Sequence, residues 1–288
     1  MTPPRPSREA ADADGSRQVD VGGYRLWMKV TGRGAPTVVF ENGAGDSSSV
    51  WQSVEPEVRR RKDVPTVLYD RAGLGKSERN TGPYRIDDEV VAVRSALSAC
   101  GVRGPIVLVA HSYGGFVSLL LAAEDPRVAG IVLVDGNIPG FFTEAEVTRL
   151  IERVRPELPA MERRAPVIAK TMIPVTLAMP ETARRLRGVS VPRSLPIIDI
   201  VAETTWVPTP EEVAAMRREH ASFVAASPHR EAVFASGSGH YVMRDRPEVV
   251  IDAVCRMIDR LRDVPELPRA GASPAARGPP RARSRHVR

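Results

Sequence analysis

The chain has 288 residues, of which 42% are hydrophobic and 26% charged, proportions that are ordinary for a globular protein and argue against a disordered or a membrane class. Its net charge of +6 would suit a nucleic-acid binder, but residues 264–288 alone carry six arginines against one glutamate. Because the rest of the chain is nearly neutral, we expect a small-molecule partner and no nucleic acid.

Both ends of the chain are rich in Pro, Ala, Gly and Arg, so we predict disordered tails over 1–18 and 264–288. No stretch approaches the roughly 18 apolar residues that a spanning helix needs, and residues 1–18 lack the apolar segment of a signal peptide. We therefore expect no membrane span and a cytoplasmic location. Cys100 and Cys255 form no closely spaced pair, which argues against a disulfide framework or a thiolate metal site.

Short β-branched runs alternate with longer amphipathic stretches, a pattern typical of parallel strands joined by crossover helices. Five predicted core strands are nearly all apolar, as expected for strands covered on both faces, and one further strand lies near each end. In chain order the seven are 25–30, 37–40, 66–69, 106–109, 131–134, 195–201 and 232–235. Helices are predicted over 86–99, 113–123 and 247–261, the last starting with a proline at its first position.

The alternation stops between residues 137 and 191, where a charged, helix-favouring stretch precedes the next core strand. We interpret 137–191 as a helical cap inserted into an α/β core that comprises 19–136 and 192–263. The predicted fold is thus α/β, with a mostly parallel central sheet, helices on both faces and an inserted cap. The cap contains four apolar residues that either line a substrate pocket or fill the core of its helices: Phe141, Phe142, Met172 and Met179.

Ser112 lies between a predicted buried strand and an apolar helix, in the turn 110–115. A serine at the apex of a sharp strand-to-helix turn needs small residues two positions before and two after it, and Ala110 and Gly114 meet this need. Such a turn exposes the hydroxyl beside a helix amino terminus, which favours developing negative charge. A nucleophile is one interpretation, and an ordinary turn serine is the other.

His240 ends the glycine-rich stretch 236–240, between the last predicted strand and the last helix. A nucleophilic serine needs a base, and histidine titrates near neutral pH, so a late loop histidine is a suitable partner. We expect His111, beside the nucleophile, to point elsewhere. The remaining histidines are less suitable because they lie on or near a polar helix or in the tail: His220, His229 and His286.

Five segments in chain order resemble the α/β-hydrolase superfamily, specifically its esterase-like branch with a helical cap. They are 41–46, 69–77, 110–115, 134–136 and 238–247, and the resemblance extends over roughly residues 20 to 262. It implies a serine hydrolase that cleaves a carboxylic ester or related acyl bond through a Ser-His-acid triad and an acyl-enzyme, with no cofactor and no metal.

The same resemblance implies an oxyanion hole made of two main-chain N–H groups. One belongs to Tyr113, directly after the nucleophile, and the other to Ala44, in the loop after the first core strand. Many relatives carry His-Gly in that loop, whereas this chain carries Asn42-Gly43. Asn42 is therefore expected to take over the supporting role of the histidine.

Two carboxylates are candidates for the acid of the triad. In most relatives the acid follows the strand predicted over 195–201, where Glu203 stands and Thr205 occupies the place of an aspartate. Other relatives place it after the preceding strand, where Asp135 lies. We favour Asp135 and keep Glu203 as the alternative, while helix or loop capping is the structural interpretation of Asp135.

Fold does not fix reaction, so two further functions remain open. The triad could serve a cofactor-free perhydrolase, lyase or acyltransferase, which would need peroxide or an acceptor other than water. Alternatively, the chain could be a receptor-like protein that binds a ligand with little turnover.

Overall fold

The computed structural model describes residues 14–263. The predicted disordered tails fall largely beyond this range, since residues 1–13 and 264–288 lie outside the described residues. No helix within the described range combines the length and the apolar character needed to cross a bilayer.

One sheet runs through the molecule, with the strand order β1-β2-β4-β3-β5-β6-β7-β8. The strands are β1 (Ser16–Asp20), β2 (Arg25–Thr31), β3 (Thr37–Glu41), β4 (Thr66–Tyr69), β5 (Ile106–His111), β6 (Val128–Val134), β7 (Ile197–Ala202) and β8 (Arg230–Ala235). Strands β3 to β8 are parallel to one another, whereas β2 pairs antiparallel with both β1 and β4. The predicted mostly parallel sheet is confirmed.

Helices connect the strands and cover the sheet. They are α1 (Glu55–Lys62), α2 (Ile86–Ala99), α3 (Gly114–Glu124), α4 (Glu144–Val154), α5 (Leu158–Arg164), α6 (Pro166–Leu177), α7 (Met179–Arg187), α8 (Pro210–Ala225), α9 (Val242–Asp245) and α10 (Pro247–Arg262), with short 3-10 turns at Ser48–Trp51 and Arg155–Glu157. The α2 helix has the predicted bounds.

Strand β5 shows why the central strands have continuously apolar sequences. All six of its residues are buried. Leu108 and Ala110 face a core that includes α2 and α3, and Val107 and Val109 face a core that includes α1 and α10. Because side chains alternate between the faces of a strand, a strand covered on both sides needs apolar residues at every position.

The parallel strands place four loops at one edge of the sheet. Residues 42–46, 112–113, 135–137 and 236–241 follow the carboxyl ends of β3, β5, β6 and β8. In open α/β sheets, ligands bind in the crevice outside these carboxyl ends. The candidate residues from distant parts of the sequence therefore share one edge.

The sheet begins earlier than predicted. We placed the boundary between tail and core at residue 19, whereas β1 begins at Ser16. Strand β1 pairs with β2 from Ser16 opposite Lys29 to Asp20 opposite Arg25. Its sequence is mostly polar and has no apolar alternation to identify a strand, and the pairing comes from main-chain hydrogen bonds across a hairpin. For residues 16–18 the predicted disordered tail was wrong.

Residues 137–191, the predicted cap, lie between β6 and β7 and contain α4 to α7. These helices bury few apolar side chains: Val147 is the buried residue of α4, and α5 contributes none. Phe141 and Phe142 are buried just before α4, which favours the core-packing interpretation for this pair.

Candidate active site

Ser112 stands at a strained turn between β5 and α3. Its φ is +51°, in the left-handed region where a residue other than glycine costs about 1–3 kcal/mol. The turn is held by two hydrogen bonds that the Ser112 carbonyl accepts, from the N–H of Gly115 at 2.9 Å and of Asn137 at 2.8 Å. The side chain is thereby directed away from the strand, at the amino end of α3.

The small residues around Ser112 have a direct steric cause. A Cβ atom on Gly114 would lie 2.6 Å from Glu41 Cγ and 2.7 Å from the Asn42 carbonyl oxygen. Ala110, on the other side of the turn, is fully buried within β5. The helix that follows the serine is therefore pressed against the end of β3, and a larger residue at 114 would push them apart.

Asp135 and His240 are brought together from the ends of β6 and β8. Asp135 Oδ2 lies 2.6 Å from His240 Nδ1, across 105 residues of sequence. The Asp135 side chain is 1% exposed and that of His240 is 16% exposed. Asp135, like Ser112, has a left-handed backbone, with φ of +43°.

The surroundings of Asp135 keep its carboxylate ionised. Burial raises the pKa of Asp135, but three hydrogen-bonding groups outweigh it and the net pKa lies below the ordinary value. They are His240, the Thr205 hydroxyl at 2.7 Å and the Ala202 N–H at 3.2 Å. Since an ionised carboxylate only accepts hydrogen bonds, His240 Nδ1 is the donor, and in the neutral imidazole Nε2 then carries the lone pair.

Glu203, the alternative acid, is engaged elsewhere. Its exposed carboxylate accepts hydrogen bonds from the Gly237 N–H at 2.6 Å and the Ser236 hydroxyl at 3.1 Å. These bonds, that of Gly237 first, lower the pKa of Glu203. Glu203 thus holds the turn before His240, and Thr205, in the place where an aspartate was expected, donates to Asp135 instead.

Ser112 is close to Asp135 through the main chain. Its N–H donates to the Val134 carbonyl at 3.4 Å, and Val134 immediately precedes Asp135. Within residues 14–263, the Ser112 hydroxyl makes no hydrogen bond to His240. Hydrogen bonds between a nucleophile and its base are often long before substrate binds.

The loop after β3 carries Ala44, whose N–H is the second donor predicted for an oxyanion hole. A turn closes this loop, in which the Asp46 N–H donates to the Gly43 carbonyl at 3.3 Å. Ala44, inside the turn, is half-buried, and Tyr113 is buried. Within the part of the chain that the structure describes, no group accepts a hydrogen bond from the N–H of Ala44 or of Tyr113.

Asn42 supports the loop with both ends of its amide. Its Nδ2 donates to the Tyr69 carbonyl at 2.8 Å, and its Oδ1 accepts from Trp51 Nε1 at 2.9 Å. The residue is fully buried, so these bonds satisfy groups that water does not reach. Asn42 ties the loop to β4 and to the 3-10 turn that follows it.

The His111 side chain contacts the loop that carries His240. The rings of His111 and His240 lie 4.5 Å apart, and His111 Nε2 donates to the His240 carbonyl at 3.1 Å. Its Nδ1 lies 3.5 Å from Asp46 Oδ2, and burial lowers the pKa of His111. His111 braces the loop that carries His240, a contact between distant residues that no local sequence pattern reveals.

A second buried His–Asp pair joins α8 to β7. His220 Nδ1 lies 2.7 Å from Asp199 Oδ2, and both residues are buried. Burial raises the pKa of Asp199. The sequence analysis placed His220 on or near a polar helix. His220 lies on α8, and its side chain projects into the core. We assign this pair an anchoring role.

The described residues show no grouping of side chains that would hold a metal ion. Within 14–263, no three His, Cys, Asp or Glu side chains are grouped to hold a metal ion. An open groove lies beside α6 and α2, and its lining includes Tyr84 and Glu89 but not Ser112 or His240.

Comparison with known proteins defines the class. A profile of the Alpha/beta hydrolase family matches residues 38–253, well over half of the chain. The chain belongs to this family, and the predicted α/β-hydrolase fold is confirmed.

Relatives within this class include named hydrolases. A 2-(acetamidomethylene)succinate hydrolase from Mesorhizobium japonicum is 26% identical over 282 residues, covering 87% of this chain and 97% of that protein. A solved structure of E-2-(acetamidomethylene)succinate hydrolase is 25% identical, with a TM-score of 0.58, and covers 85% of this chain and 98% of that one. A thermophilic esterase from Thermogutta terrifontis shares the fold at 22% identity and a TM-score of 0.58, covering 83% and 94%.

Proposed function

We propose that this protein is a serine hydrolase that cleaves a carboxylic ester or related acyl bond of a small molecule. Ser112 is the nucleophile, His240 the base and Asp135 the acid. The observation that carries the proposal is the 2.6 Å contact between His240 Nδ1 and Asp135 Oδ2, at the sheet edge where Ser112 occupies a left-handed turn.

The first half of the reaction forms an acyl-enzyme. His240 Nε2 takes the proton of the Ser112 hydroxyl while the oxygen attacks the substrate carbonyl carbon. Negative charge moves to the carbonyl oxygen, which accepts hydrogen bonds from the N–H groups of Ala44 and Tyr113. Each such donor lowers the barrier by about 3 kcal/mol. Asp135 stabilises the positive charge that develops on His240.

The acyl-enzyme is complete when the leaving group departs, and water then releases the acyl product. The His240 imidazolium gives its proton to the leaving oxygen or nitrogen, and the bond to that atom breaks. A water molecule then loses a proton to His240 Nε2 and attacks the acyl carbon, and the Ser112 oxygen recovers a proton as the carboxylic acid departs. The chain's own residues suffice for every proton transfer.

The candidate substrates extend beyond simple esters. A relative covering most of this chain is named 2-(acetamidomethylene)succinate hydrolase, so N-acyl compounds belong in the tested set beside short-chain esters. Both classes present a carbonyl carbon to Ser112 and a leaving atom that accepts a proton from His240.

A phosphonofluoridate located by mass spectrometry tests the nucleophile. We expect the label on Ser112, hydrolysis of a short-chain aryl ester, and loss of kcat by roughly 10⁴-fold or more in Ser112→Ala. Ser118→Ala is the matched control, because Ser118 is buried within α3 and should leave kcat and labelling unchanged. An intact protein that carries no label at Ser112 and hydrolyses no acyl substrate would refute the proposal.

A further inference from the structure

Arg71 is a buried cation beneath the proposed oxyanion loop. Its side chain is 4% exposed, and Nη2 donates to the Gly43 carbonyl oxygen at 2.6 Å. Carboxylates are more distant: Nε lies 3.7 Å from Glu41 Oε1, and Nη1 lies 3.9 Å from Glu89 Oε2. Within residues 14–263, neither Nε nor Nη1 has a hydrogen-bond partner. The shortest polar contact of the cation is thus with a main-chain carbonyl.

The groups around Arg71 keep it charged although it is buried. Burial raises the pKa of Glu41 to about 8, while the charge of Arg71 acts to lower it. Glu89 Oε2 also accepts a hydrogen bond from the Tyr84 hydroxyl at 2.8 Å. Burial acts to lower the pKa of Arg71, but the charges of Glu89 and Glu41 outweigh it and the net pKa is raised. The guanidinium therefore stays charged beside the Gly43 carbonyl.

The Gly43 carbonyl is half of a peptide unit whose other half is the N–H of Ala44. The unit is planar and the two groups point in opposite directions. A bond that fixes the Gly43 oxygen therefore also fixes the direction of the Ala44 N–H. Arg71 and the Asp46 N–H both donate to this oxygen. A cation at the oxygen also polarises the unit, which strengthens its N–H as a donor.

Arg71 contacts the second proposed donor residue as well. Its guanidinium carbon lies 5.1 Å from the centroid of the Tyr113 ring, within the range of a cation–π contact. The Tyr113 hydroxyl lies 2.5 Å from that of Tyr84, so the ring is held from its far end too. One side chain therefore connects the loop of Ala44 with the residue after Ser112.

We infer that Arg71 is a positioning residue that orients the oxyanion hole, through the Gly43–Ala44 peptide on one side and the Tyr113 ring on the other. The inference rests on the proposed function, because an oxyanion forms only if Ser112 attacks a carbonyl. Arg71 does not touch the substrate in this role. Its removal therefore weakens stabilisation of the transition state and leaves ground-state binding largely unchanged.

Arg71→Lys and Arg71→Met test this role by steady-state kinetics with an aryl ester. The lysine keeps the buried charge, but its single nitrogen cannot hold the Gly43 carbonyl while it faces Glu89. We expect kcat to fall about tenfold in Arg71→Lys and about 100-fold in Arg71→Met, with KM changed less than about twofold.

Two inhibitors separate orientation of the hole from general damage to the site. A boronic acid forms a tetrahedral adduct with Ser112 and uses the oxyanion hole, whereas an ether analogue of the ester binds without an oxyanion. We expect boronate affinity to fall in parallel with kcat and ether affinity to stay within about twofold. A structural defect alone would weaken both inhibitors.

Arg127→Met is the matched control. Arg127 precedes β6, at the end of the strand away from the candidate site, and its Nη1 donates to the Val102 carbonyl at 2.7 Å. We expect kcat and boronate affinity to stay near wild type. An Arg71→Lys variant with wild-type kcat and boronate affinity would overturn the inference. That result leaves the proposed function standing if Ser112 is labelled, whereas absence of label on wild-type Ser112 refutes the proposed function itself.

Discussion

At the residue scale, two backbone positions shape the candidate site. Ser112 and Asp135 both have left-handed φ angles and directly follow the parallel neighbours β5 and β6. Each is held by a main-chain bond to the next strand, from Ser112 N–H to Val134 and from Asp135 N–H to Ile200. Because these bonds stabilise an otherwise unfavourable backbone, both side chains leave the sheet at the same edge.

Asp135→Asn should remove most of the activity. The asparagine has nearly the same shape but no charge, so it neither stabilises the His240 imidazolium nor favours the tautomer with hydrogen on Nδ1. We expect kcat to fall roughly 10³- to 10⁴-fold, measured by aryl-ester hydrolysis.

Glu203→Gln is the matched comparison for the acid, since Glu203 is the other carboxylate that the sequence offered. Its carboxylate holds the 236–237 turn, and glutamine retains an oxygen that accepts the same bonds. We expect kcat to change less than about threefold, because a surface turn contact contributes little. Greater loss in Glu203→Gln than in Asp135→Asn would reverse the assignment.

At the element scale, aromatic side chains attach the predicted cap to the core. The Phe142 ring lies 4.8 Å from that of Phe116 in α3 and is stacked 6.2 Å from that of Trp206, which follows β7. Helices α4 and α5 bury little of their own surface. Since a helix gains most of its stability from packing, the 137–191 segment depends on the core for its structure.

Phe142→Ala should therefore destabilise the whole protein and not the cap alone. Removing a buried aromatic ring costs about 3–4 kcal/mol. We expect urea unfolding to keep one transition, shifted to lower urea, when followed by far-UV circular dichroism and by tryptophan fluorescence, to which Trp206 contributes.

Phe234→Ala is the control for this change. Phe234 is 56% exposed on β8, so its loss should cost less than about 1 kcal/mol. Two separated transitions in Phe142→Ala, with the circular dichroism midpoint unchanged, would show that residues 137–191 unfold independently of the core.

At the scale of the whole molecule, burial determines which strands and helices could be predicted from the sequence. Strands β3 to β7 are covered on both faces, so their apolar runs were identifiable, and the strand-turn-helix around Ser112 followed from them. Strand β1 and helix α1 were not predicted because their sequences are mostly polar. In α1, Val58 is the one buried apolar residue. Such elements are defined by pairing and packing that local sequence does not record.

The partners in the candidate site were predictable to different degrees. The glycine-rich loop before the last helix indicated His240 and the family resemblance indicated Asp135, although 105 residues separate them. Thr205 was noted as a missing aspartate, but not as a donor to Asp135. His111 and Arg71 act through buried contacts with residues brought close by the order of the strands, and no spacing rule predicts such contacts.

The buried carboxyl of Glu41 links the stability of the whole molecule to pH. Glu41 ends β3 and is 2% exposed, and burial raises its pKa to about 8 from an ordinary value of 4.5. Between these values the folded protein holds a proton that the unfolded chain has lost. Because the folded state binds more protons, the free energy of unfolding decreases as pH rises through this interval.

Glu41→Gln should abolish this dependence, because glutamine resembles the protonated carboxyl and does not titrate. We expect equal stability at pH 5 and an advantage of about 3 kcal/mol for Glu41→Gln at pH 8, since each pH unit contributes up to about 1.4 kcal/mol. Urea unfolding at pH 5, 6, 7 and 8 measures this difference in the free energy of unfolding.

Glu57→Gln is the control. The arginines beside Glu57 lower its pKa to about 2, so the free energy of unfolding of Glu57→Gln should depend on pH in parallel with wild type. A constant difference between Glu41→Gln and wild type would mean that Glu41 ionises alike in both states.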